Sequence, residues 1–249
     1  MKSKILIGLP CYNEEENIVP LIEKYLIMKA GFKVPIEILL VNDGSNDATG
    51  EIIKEYSNKY EFIKYIDHIR NKGLSEGMRT IFNYALKNLG EVDYLVVMDS
   101  DNTHDPYIIP DLFEKAENKK LDIVVASRFV KGGKEEGLSL FRKLLSRGAG
   151  LYCKTLFNVN GLKDYSCGYR IYKVEFLKKL NDYYNGDIIS MNGFECMVEI
   201  VAKSKKLNVK IGEYPMILKY NFKIGKSKMK IWKTVFGYFK LGLKLRLGL

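Results

Sequence analysis

Two aspartates spaced two residues apart are the side chains in this sequence best suited to hold a metal ion. Asp99 and Asp101 directly follow the apolar run Tyr94–Met98, at a point where an extended strand would turn into a loop. Two carboxylates at this spacing can converge on one Mg²⁺ or Mn²⁺, ions that proteins hold through one or two carboxylates and substrate phosphates. Taken alone, such a pair favours a turn that caps the helix after Pro106, and it is the position after a central strand that favours the metal site.

The elements that must position these aspartates are predicted by the pattern of the first 127 residues. Apolar runs rich in β-branched residues alternate with helix-length segments whose apolar residues recur every three or four positions. The runs are Ile5–Leu9, Ile36–Val41, Phe62–Ile66, Tyr94–Met98 and Ile123–Ala126. This alternation predicts an α/β fold, with a mostly parallel sheet covered by helices on both faces. Ligands of such sheets bind at the carboxyl ends of the strands.

Charge is distributed unevenly along the 249 residues. Hydrophobic residues make up 47% and charged residues 28%, which is typical of a globular protein and excludes a disordered chain. The formal net charge is +10, yet residues 203–249 contain 13 basic residues and one acidic residue. A near-neutral body with a basic C-terminal fifth indicates an anionic partner at that end, either nucleic acid or a membrane surface.

The segment Met229–Leu247 has the pattern of an amphipathic helix. Four lysines would share one face with Gly237, and these are Lys230, Lys233, Lys240 and Lys244. Five large apolar residues would lie away from that row, namely Trp232, Phe236, Phe239, Leu243 and Leu247. This pattern predicts a basic helix in a membrane interface. The alternatives are an ordinary helix packed on the core or an oligomer contact.

The lack of a targeting pattern and the spacing of the cysteines narrow the class of protein further. No signal-peptide pattern precedes the first apolar run, and no apolar stretch reaches the roughly 18 residues of a membrane span. We therefore expect a peripheral protein on the cytoplasmic face of a membrane. Four cysteines without a Cys-x-x-Cys pair argue against a zinc site or a disulfide framework.

Four ordered segments carry a resemblance to a known family. They are Pro10-Cys11-Tyr12-Asn13-Glu14, Val41–Asp47, Asn71-Lys72-Gly73 and Asp99-Ser100-Asp101. They resemble the motifs of family 2 glycosyltransferases, whose Rossmann-like GT-A fold binds a nucleoside-diphosphate sugar. The resemblance implies that Asp99 and Asp101 hold Mg²⁺ or Mn²⁺, with Asp101 catalytic. It also implies donor-binding roles for Pro10, Tyr12, Asn13, Glu14, Val41, Asp43, Gly73, Asp99 and Ser100.

The second half is similar to dolichol-phosphate mannose synthases and related polyprenyl-phosphate sugar transferases. The segments that carry this similarity are 164–170, 213–215 and 225–228. The resemblance implies a GT-A domain over residues 1–228, with a nucleotide-sugar half at 1–130 and an acceptor half at 131–228, followed by the amphipathic helix at 229–249. It implies a second catalytic residue, Arg128, and acceptor-phosphate contacts by Arg128, Arg142, Arg147, Arg170, Ser227 and Lys228.

The sequence departs from that family beside the metal motif. Thr103 stands where the family often has Gln, so a third metal contact is left open. His104 has two interpretations, a metal ligand or a loop histidine near the acceptor. These departures leave the protein ligands of the ion, beyond the two aspartates, undecided.

Acid–base chemistry separates the possible acceptors. Transfer to a hydroxyl requires a general base, whereas a phosphate monoester is already anionic near neutral pH. The stretch Gly193-Phe194-Glu195-Cys196 contains no adjacent acidic pair that could be this base. We therefore expect inverting transfer, which the resemblance implies, from a GDP-mannose or UDP-hexose type of donor to a polyprenyl or dolichyl phosphate.

Two other functions were weighed against this one. The first is a family 2 enzyme that acts on a glycan or another hydroxyl acceptor. The more distant one is a basic nucleic-acid-binding protein. Two observations argue against it: the lysines alternate with Leu and Phe, and no nucleic-acid motif is present. We expect no nucleic-acid partner.

Overall fold

The described part of the chain, residues 3–222, 224 and 231–246 of a computed structural model, contains nine strands and eight α-helices. The strands are β1 (Ile5–Cys11), β2 (Ile36–Asn42), β3 (Ile63–Asp67), β4 (Tyr94–Val97), β5 (Ile123–Ser127), β6 (Lys134–Glu136), β7 (Arg170–Lys173), β8 (Ile211–Pro215) and β9 (Ile217–Lys219). The helices are α1 (Glu15–Gly31), α2 (Thr49–Lys59), α3 (Leu74–Lys87), α4 (Ile109–Lys119), α5 (Leu140–Phe157), α6 (Val174–Tyr183), α7 (Cys196–Ser204) and α8 (Ile231–Arg246).

Seven strands form one sheet in the order β3-β2-β1-β4-β7-β5-β8, and β6 pairs with β9 in a separate ribbon. β1 lies parallel to β2 and β4, β2 is parallel to β3, and β5 is parallel to β8. β7 runs antiparallel to both of its neighbours, β4 and β5. The prediction of a mostly parallel α/β sheet is confirmed.

Burial explains why the central strands are continuous apolar runs. All residues of β4 and β5 are buried, as are six of the seven residues in β1. Such strands need apolar side chains on both sides, since each side faces a helix layer. α1 packs against α2, and α3 packs against α6.

The sequence pattern did not predict β7. This strand has four residues, and it combines Arg170 and Lys173 with two apolar residues, which gives no apolar run to recognise. The five predicted strands are all present, with ends shifted by one or two residues. β7 owes its position to pairing on both edges rather than to its own pattern.

The C-terminal helix α8 packs against α5. A Cβ atom at Gly242 would lie 2.5 Å from Leu156 Cδ2 and 2.7 Å from the Tyr152 hydroxyl, so glycine permits the close approach of the two helices. The ring of Phe239 contacts that of Tyr152, with 4.8 Å between the centroids. The predicted helix Met229–Leu247 matches α8. Residues 229, 230 and 247, at the ends of the predicted helix, lie outside the described residues. The domain boundary at residue 228 stays a prediction.

α8 carries apolar side chains on its exposed side as well as on its buried side. Phe236, Phe239 and Leu243 are more than half exposed, whereas Tyr238 and Leu241 are buried. Among the helices of residues 3–222 and 231–246, none combines the length and the apolarity that a bilayer span requires. The exposed apolar side chains therefore lie on the outside of a helix docked to the domain.

Candidate active site

A cavity of about 630 Å³ lies at the carboxyl ends of β1, β2 and β4 and is bounded by α5 and α8. Many of the predicted site residues line it: Pro10, Tyr12, Glu14, Asp43, Gly73, Asp99, Ser100, Asp101, Arg128 and Arg142. Four predicted residues lie outside this lining: Asn13, Val41, Arg147 and Arg170. Ser227 and Lys228 lie outside the described residues, so their predicted contacts stay predictions.

Asp99, Asp101 and His104 form a cluster that suits a divalent cation. One ligand atom of each side chain lies within 4.8 Å of the other two. Asp101 is 9% exposed and His104 is 5% exposed, whereas Asp99 lies at the open side of the cluster. Carboxylates suit both Mg²⁺ and Mn²⁺, and imidazole is a common ligand of transition metals. The donor set therefore fits the predicted cation.

The loop after β4 fixes the orientation of these aspartates. Thr103 donates from its hydroxyl and its backbone N–H to Asp101 Oδ1, at 2.6 and 3.2 Å. Ser100 donates its hydroxyl to the Pro10 carbonyl at 2.8 Å, which ties this loop to the end of β1. Asn102 has a left-handed backbone, with φ of 60°, and a short polar side chain of this kind tolerates that conformation. The Asp101 carboxylate is thus held in place by its own loop.

Asp43 ties together the loops that follow β2 and β3. Hydrogen bonds of 2.7 to 3.0 Å join its carboxylate to His68 Nδ1, the Asn71 amide and the backbone N–H groups of Lys72 and Gly73. The next residue, Gly44, has a φ of 66°, and a Cβ there would lie 2.3 Å from the carbonyl carbon of Arg70. Only glycine fits this contact. Asp43 therefore shapes one side of the cavity through the loop that leads into α3.

Asn13 and Glu14 join the loops after β1 and β2. Asn13 donates its N–H to Ser45 Oγ at 3.0 Å, and its side-chain oxygen accepts from the Asn46 N–H at 2.9 Å. Glu14 lines the cavity, and its carboxylate accepts from the Asn17 amide at 2.8 Å. Asn13 therefore bridges the two loops through its polar groups, and its donor-binding role stays a prediction.

Arg128 lies at the cavity wall within a buried ion-pair network. Its guanidinium donates to both oxygens of Asp164 at 2.6 and 2.7 Å, to Ser166 Oγ at 2.8 Å and to Glu135 at 3.3 Å. Burial would raise the pKa of Asp164, but the charge and hydrogen bonds of Arg128 lower it below its usual value. These bonds use four of the five guanidinium N–H donors. Arg128 is thus a rigidly held cation whose charge is largely balanced by acids.

Arg142, on α5, is a second cation at the cavity wall, and it contacts the aromatic side chain of Tyr220. It donates to the Tyr220 hydroxyl at 2.6 Å, and its guanidinium carbon lies 5.4 Å from the centroid of that ring. Both residues line the cavity, as does Ser146, one helical turn after Arg142. Neither Ser146 nor Tyr220 was predicted as a site residue, although the spacing of four residues from Arg142 on a predicted helix could have pointed to Ser146.

Three predicted site residues are placed differently by the structure. Arg170 is 0% exposed, and its guanidinium donates to the carbonyls of Met197 and Tyr165 at 2.6 and 2.7 Å. The predicted phosphate contact of Arg170 is therefore wrong, because a fully buried group cannot reach a ligand in the cavity. Val41 is buried in the core of the sheet, and Arg147 lies on the exposed side of α5. Neither reaches the cavity lining.

One wall of the cavity comes from α8 and from the loop before α7. Thr234, Val235 and Tyr238 line the cavity, and burial raises the pKa of Tyr238, so its hydroxyl stays protonated. Glu195 also lines it, buried against α8 at Gly237, where a Cβ would lie 2.6 Å from the carboxylate carbon. None of these residues was predicted from the sequence to belong to the site, because a single Glu and a helix face turned inward carry no motif.

Residues that build this cavity match the model of a known protein family. The family model described as Glycosyl transferase family 2 matches residues 6–180, more than half of the chain. This chain belongs to glycosyl transferase family 2. The matched segment of this family 2 member includes the acidic cluster, Arg128 and Arg142, and it ends before Glu195 and α8. One wall of the cavity is therefore built from residues beyond the family match.

Two curated relatives and one solved structure resemble this family 2 protein over most of its length. The dolichol-phosphate mannosyltransferase of Pyrococcus furiosus is 34% identical over 238 residues, which cover 95% of this chain and 62% of the relative. The undecaprenyl-phosphate mannosyltransferase of Micrococcus luteus is 28% identical over 247 residues, 98% of this chain and 96% of the relative. The chain thus spans less than two thirds of the Pyrococcus protein.

The structural neighbour establishes the fold. Glucosyl-3-phosphoglycerate synthase of Mycobacterium tuberculosis, solved with Mn²⁺, UDP and glucosyl-3-phosphoglycerate, superposes with a TM-score of 0.64 at 16% identity. The alignment covers 100% of this chain and 81% of that one. The predicted GT-A fold of this family 2 protein is confirmed.

Proposed function

We propose that this protein transfers a sugar from a nucleoside-diphosphate sugar to a polyprenyl phosphate at a membrane surface. The observation that carries the proposal is the presence, in the lining of one cavity, of Asp99 and Asp101 from the acidic cluster and of the cations Arg128 and Arg142. The acidic cluster suits a cation that bridges a diphosphate, and the arginines suit a second phosphate-bearing substrate. The two mannosyltransferase relatives support a lipid-phosphate acceptor.

The reaction follows from these charges. An oxygen of the acceptor phosphate attacks the anomeric carbon, the bond from that carbon to the donor's diphosphate breaks, and the nucleoside diphosphate leaves with the electron pair. A divalent cation, Mg²⁺ or Mn²⁺, would neutralise the charge that develops on the diphosphate. Arg142 would orient the acceptor phosphate, while Arg128 would stabilise it through its remaining N–H group. Inversion at the anomeric carbon follows from one in-line attack.

A donor and acceptor panel tests this function. The protein is incubated with polyprenyl phosphate and a set of GDP- and UDP-sugars, with Mg²⁺ or with Mn²⁺, and lipid products are detected by mass spectrometry. We expect one donor to give a polyprenyl-phosphate sugar, and no product in EDTA. Absence of glycolipid with every donor and both metals would refute the proposal.

A second candidate function keeps the donor and changes the acceptor to a hydroxyl compound. Glu195 favours it, because this buried carboxylate lines the same cavity as the acidic cluster and could remove a hydroxyl proton. The two functions differ in whether they need this carboxylate. A lipid phosphate needs no base, since it is already ionised near neutral pH.

Replacing Glu195 by Gln separates the two functions. Gln keeps the shape that packs against Gly193 and Gly237. We expect the turnover of the Glu195→Gln variant with polyprenyl phosphate to stay within about threefold of the wild-type value, since a missing base costs about 10² or more. The initial rate of glycolipid formation measures this. A hundredfold loss would favour the hydroxyl acceptor, and Glu76→Gln on the surface of α3 serves as the matched control.

The surface formed by α5 and α8 suits an anionic bilayer. α5 exposes Leu140, Phe141, Leu144 and Leu151, and α8 exposes Phe236, Phe239 and Leu243. The two helices contact each other, and the exposed cations Arg147 and Lys240 lie on them. Apolar side chains flanked by cations are typical of helices that lie in a membrane interface. We infer peripheral membrane binding through these helices; location on the cytoplasmic face and absence of nucleic-acid binding stay predictions.

Removing the apolar side chains of α8 should weaken membrane binding. Phe236, Phe239 and Leu243 are more than half exposed, so their change to Ser removes no buried side chain, although it does remove the ring contact of Phe239 with Tyr152. We expect the triple variant to partition at least tenfold less onto phosphatidylglycerol vesicles, since burying each such side chain is worth about 1.5–3 kcal/mol. Co-sedimentation measures the partition coefficient. Ile27→Ser, an exposed site on α1, is the matched control, and an equal loss there would contradict the assignment.

A further inference from the structure

We propose that His104 Nδ1 is the third protein ligand of the cation and that it biases the site toward Mn²⁺ over Mg²⁺. This inference rests on the proposed function, because it concerns the metal that would bridge the donor's diphosphate. It assigns to His104 the third metal contact that the sequence left open because Thr103 stands at the preceding position.

The imidazole of His104 is buried in a way that calls for a partner. The residue is 5% exposed, and its Nδ1 atom has no hydrogen-bond partner among the described residues. A buried polar atom without a partner costs about 1–3 kcal/mol, and native proteins rarely keep one without a reason. A bound cation would satisfy this nitrogen.

The nitrogen is aimed at the acidic cluster. His104 Nδ1 lies 4.0 Å from Asp99 Oδ2, and one atom from each of Asp99, Asp101 and His104 lies within 4.8 Å of the others. In an octahedral site with bonds of about 2.1 Å, neighbouring ligands lie about 3 Å apart and opposite ligands about 4.2 Å apart. The separations in this cluster are thus close to those that one ion imposes.

A direct hydrogen bond or ion pair does not account for this placement. The 4.0 Å between His104 Nδ1 and Asp99 Oδ2 exceeds the 2.7–3.2 Å or so of an N–H···O hydrogen bond. A proton on Nδ1 would therefore have no acceptor at bonding distance among the described residues. An ion between the two groups explains both the distance and the lone nitrogen.

Thr103 has a different task in the same loop. Its hydroxyl and its N–H both donate to Asp101 Oδ1 and thereby hold that carboxylate. The next residue, His104, then turns its ring back toward Asp99 and packs it against Tyr169, with 5.4 Å between the centroids. Thr103 therefore orients a ligand, and His104 supplies one.

Ligand chemistry predicts which metal such a site prefers. Oxygen ligands suit Mg²⁺ and Mn²⁺, whereas imidazole nitrogen suits transition metals and is a poor partner for Mg²⁺. A site with two carboxylates and one imidazole should therefore hold Mn²⁺ more tightly than Mg²⁺. Replacing the imidazole should reduce that difference.

Electron spin-echo spectroscopy of the full chain loaded with Mn²⁺ tests the assignment directly. Spectra are recorded with Mn²⁺ alone and with Mn²⁺ plus GDP or UDP. We expect a ¹⁴N coupling from a directly bound imidazole in the wild type and none in His104→Ala or His104→Gln. The chain has two histidines, so His68→Gln is the matched control and should keep the coupling. A wild-type spectrum without ¹⁴N coupling under all these conditions would overturn the assignment.

Calorimetry adds an affinity readout that needs no sugar or lipid. We expect the Mn²⁺ affinity to fall at least tenfold in His104→Ala, and the Mg²⁺ affinity to change by less than about threefold, because Mg²⁺ gains little from imidazole. Equal losses for both ions would contradict the selectivity. Glycolipid formation without ¹⁴N coupling refutes this inference alone, whereas coupling without any glycolipid refutes the proposed function alone.

Discussion

Replacing Asp101 by Asn is expected to lower turnover by about 10²–10³, the loss that follows removal of one preorganised electrostatic contact at a reacting centre. Asp101 lines the cavity, and its carboxylate belongs to the cluster that suits the cation. Asn lacks the negative charge that attracts the ion, so both metal affinity and charge neutralisation on the leaving diphosphate should suffer. Turnover is measured as glycolipid formation with the donor that the panel identifies.

The Asn variant is designed to preserve the fold. Its Oδ1 can still accept the two hydrogen bonds from Thr103, so the loop after β4 keeps its shape. Partial recovery at high Mn²⁺ concentration is expected, because weakened metal binding is part of the defect. Asp105→Asn is the matched control, since that carboxylate caps the turn at Pro106–Ile108 and lies outside the cavity lining. Turnover within threefold of wild type in Asp101→Asn would remove Asp101 from the proposed site.

Replacing Asp164 by Ala is expected to destabilise the protein by about 3–5 kcal/mol, the usual cost of leaving one member of a buried ion pair alone. Asp164 is fully buried, and it accepts hydrogen bonds from the Arg128 guanidinium and from the backbone N–H groups of Arg128 and Cys167. The variant would leave the guanidinium unbalanced in the interior. Urea unfolding at pH 7 measures the change in the free energy of unfolding.

An exposed ion pair provides the comparison. Asp182 pairs with Lys178 one helical turn away on the exposed face of α6, and such pairs contribute about 0.3–0.5 kcal/mol. Asp182→Ala should therefore cost a small fraction of the Asp164→Ala loss. If the two losses were similar, the Arg128–Asp164 pair would not stabilise the fold as argued.

The same pair predicts a dependence on pH. Because the pKa of Asp164 is lowered in the folded state, its contribution to stability is fully present above the unfolded pKa of about 3.9 and is lost as the pH falls through the lower folded value. The stability difference between wild type and Asp164→Asn should therefore shrink below about pH 4. Unfolding curves between pH 7 and pH 3 measure this difference, and a gap that widens in acid would contradict the sign.

The parallel sheet and the acidic cluster could be predicted from the sequence because each has a local signature. Buried strands show as apolar runs, and the polar residues after them mark the carboxyl edge of the sheet, where ligands bind. Asp99 and Asp101 were found in this way. The prediction depended only on residues that are neighbours in the chain.

The acceptor side could not be predicted so well, because it depends on contacts between distant segments. Arg170 has the residue type of a phosphate ligand, yet pairing of β7 between β4 and β5 places it in the interior. Glu195 and Tyr238 carry no motif, and they reach the cavity because α8 packs on α5 and lies against Glu195 at Gly237. Charge and residue type alone cannot distinguish a cation that meets a ligand from one that holds the fold.

The glycines of α8 have a consequence for how this wall of the cavity forms. Gly237 and Gly242 allow close contact with Glu195 and with α5, but each lowers intrinsic helicity by up to about 1 kcal/mol relative to Ala. A sixteen-residue segment with two such positions has little tendency to form a helix on its own in water. We therefore expect a synthetic peptide of this segment to be mostly random coil by circular dichroism, so that its order is acquired from the surfaces against which it docks.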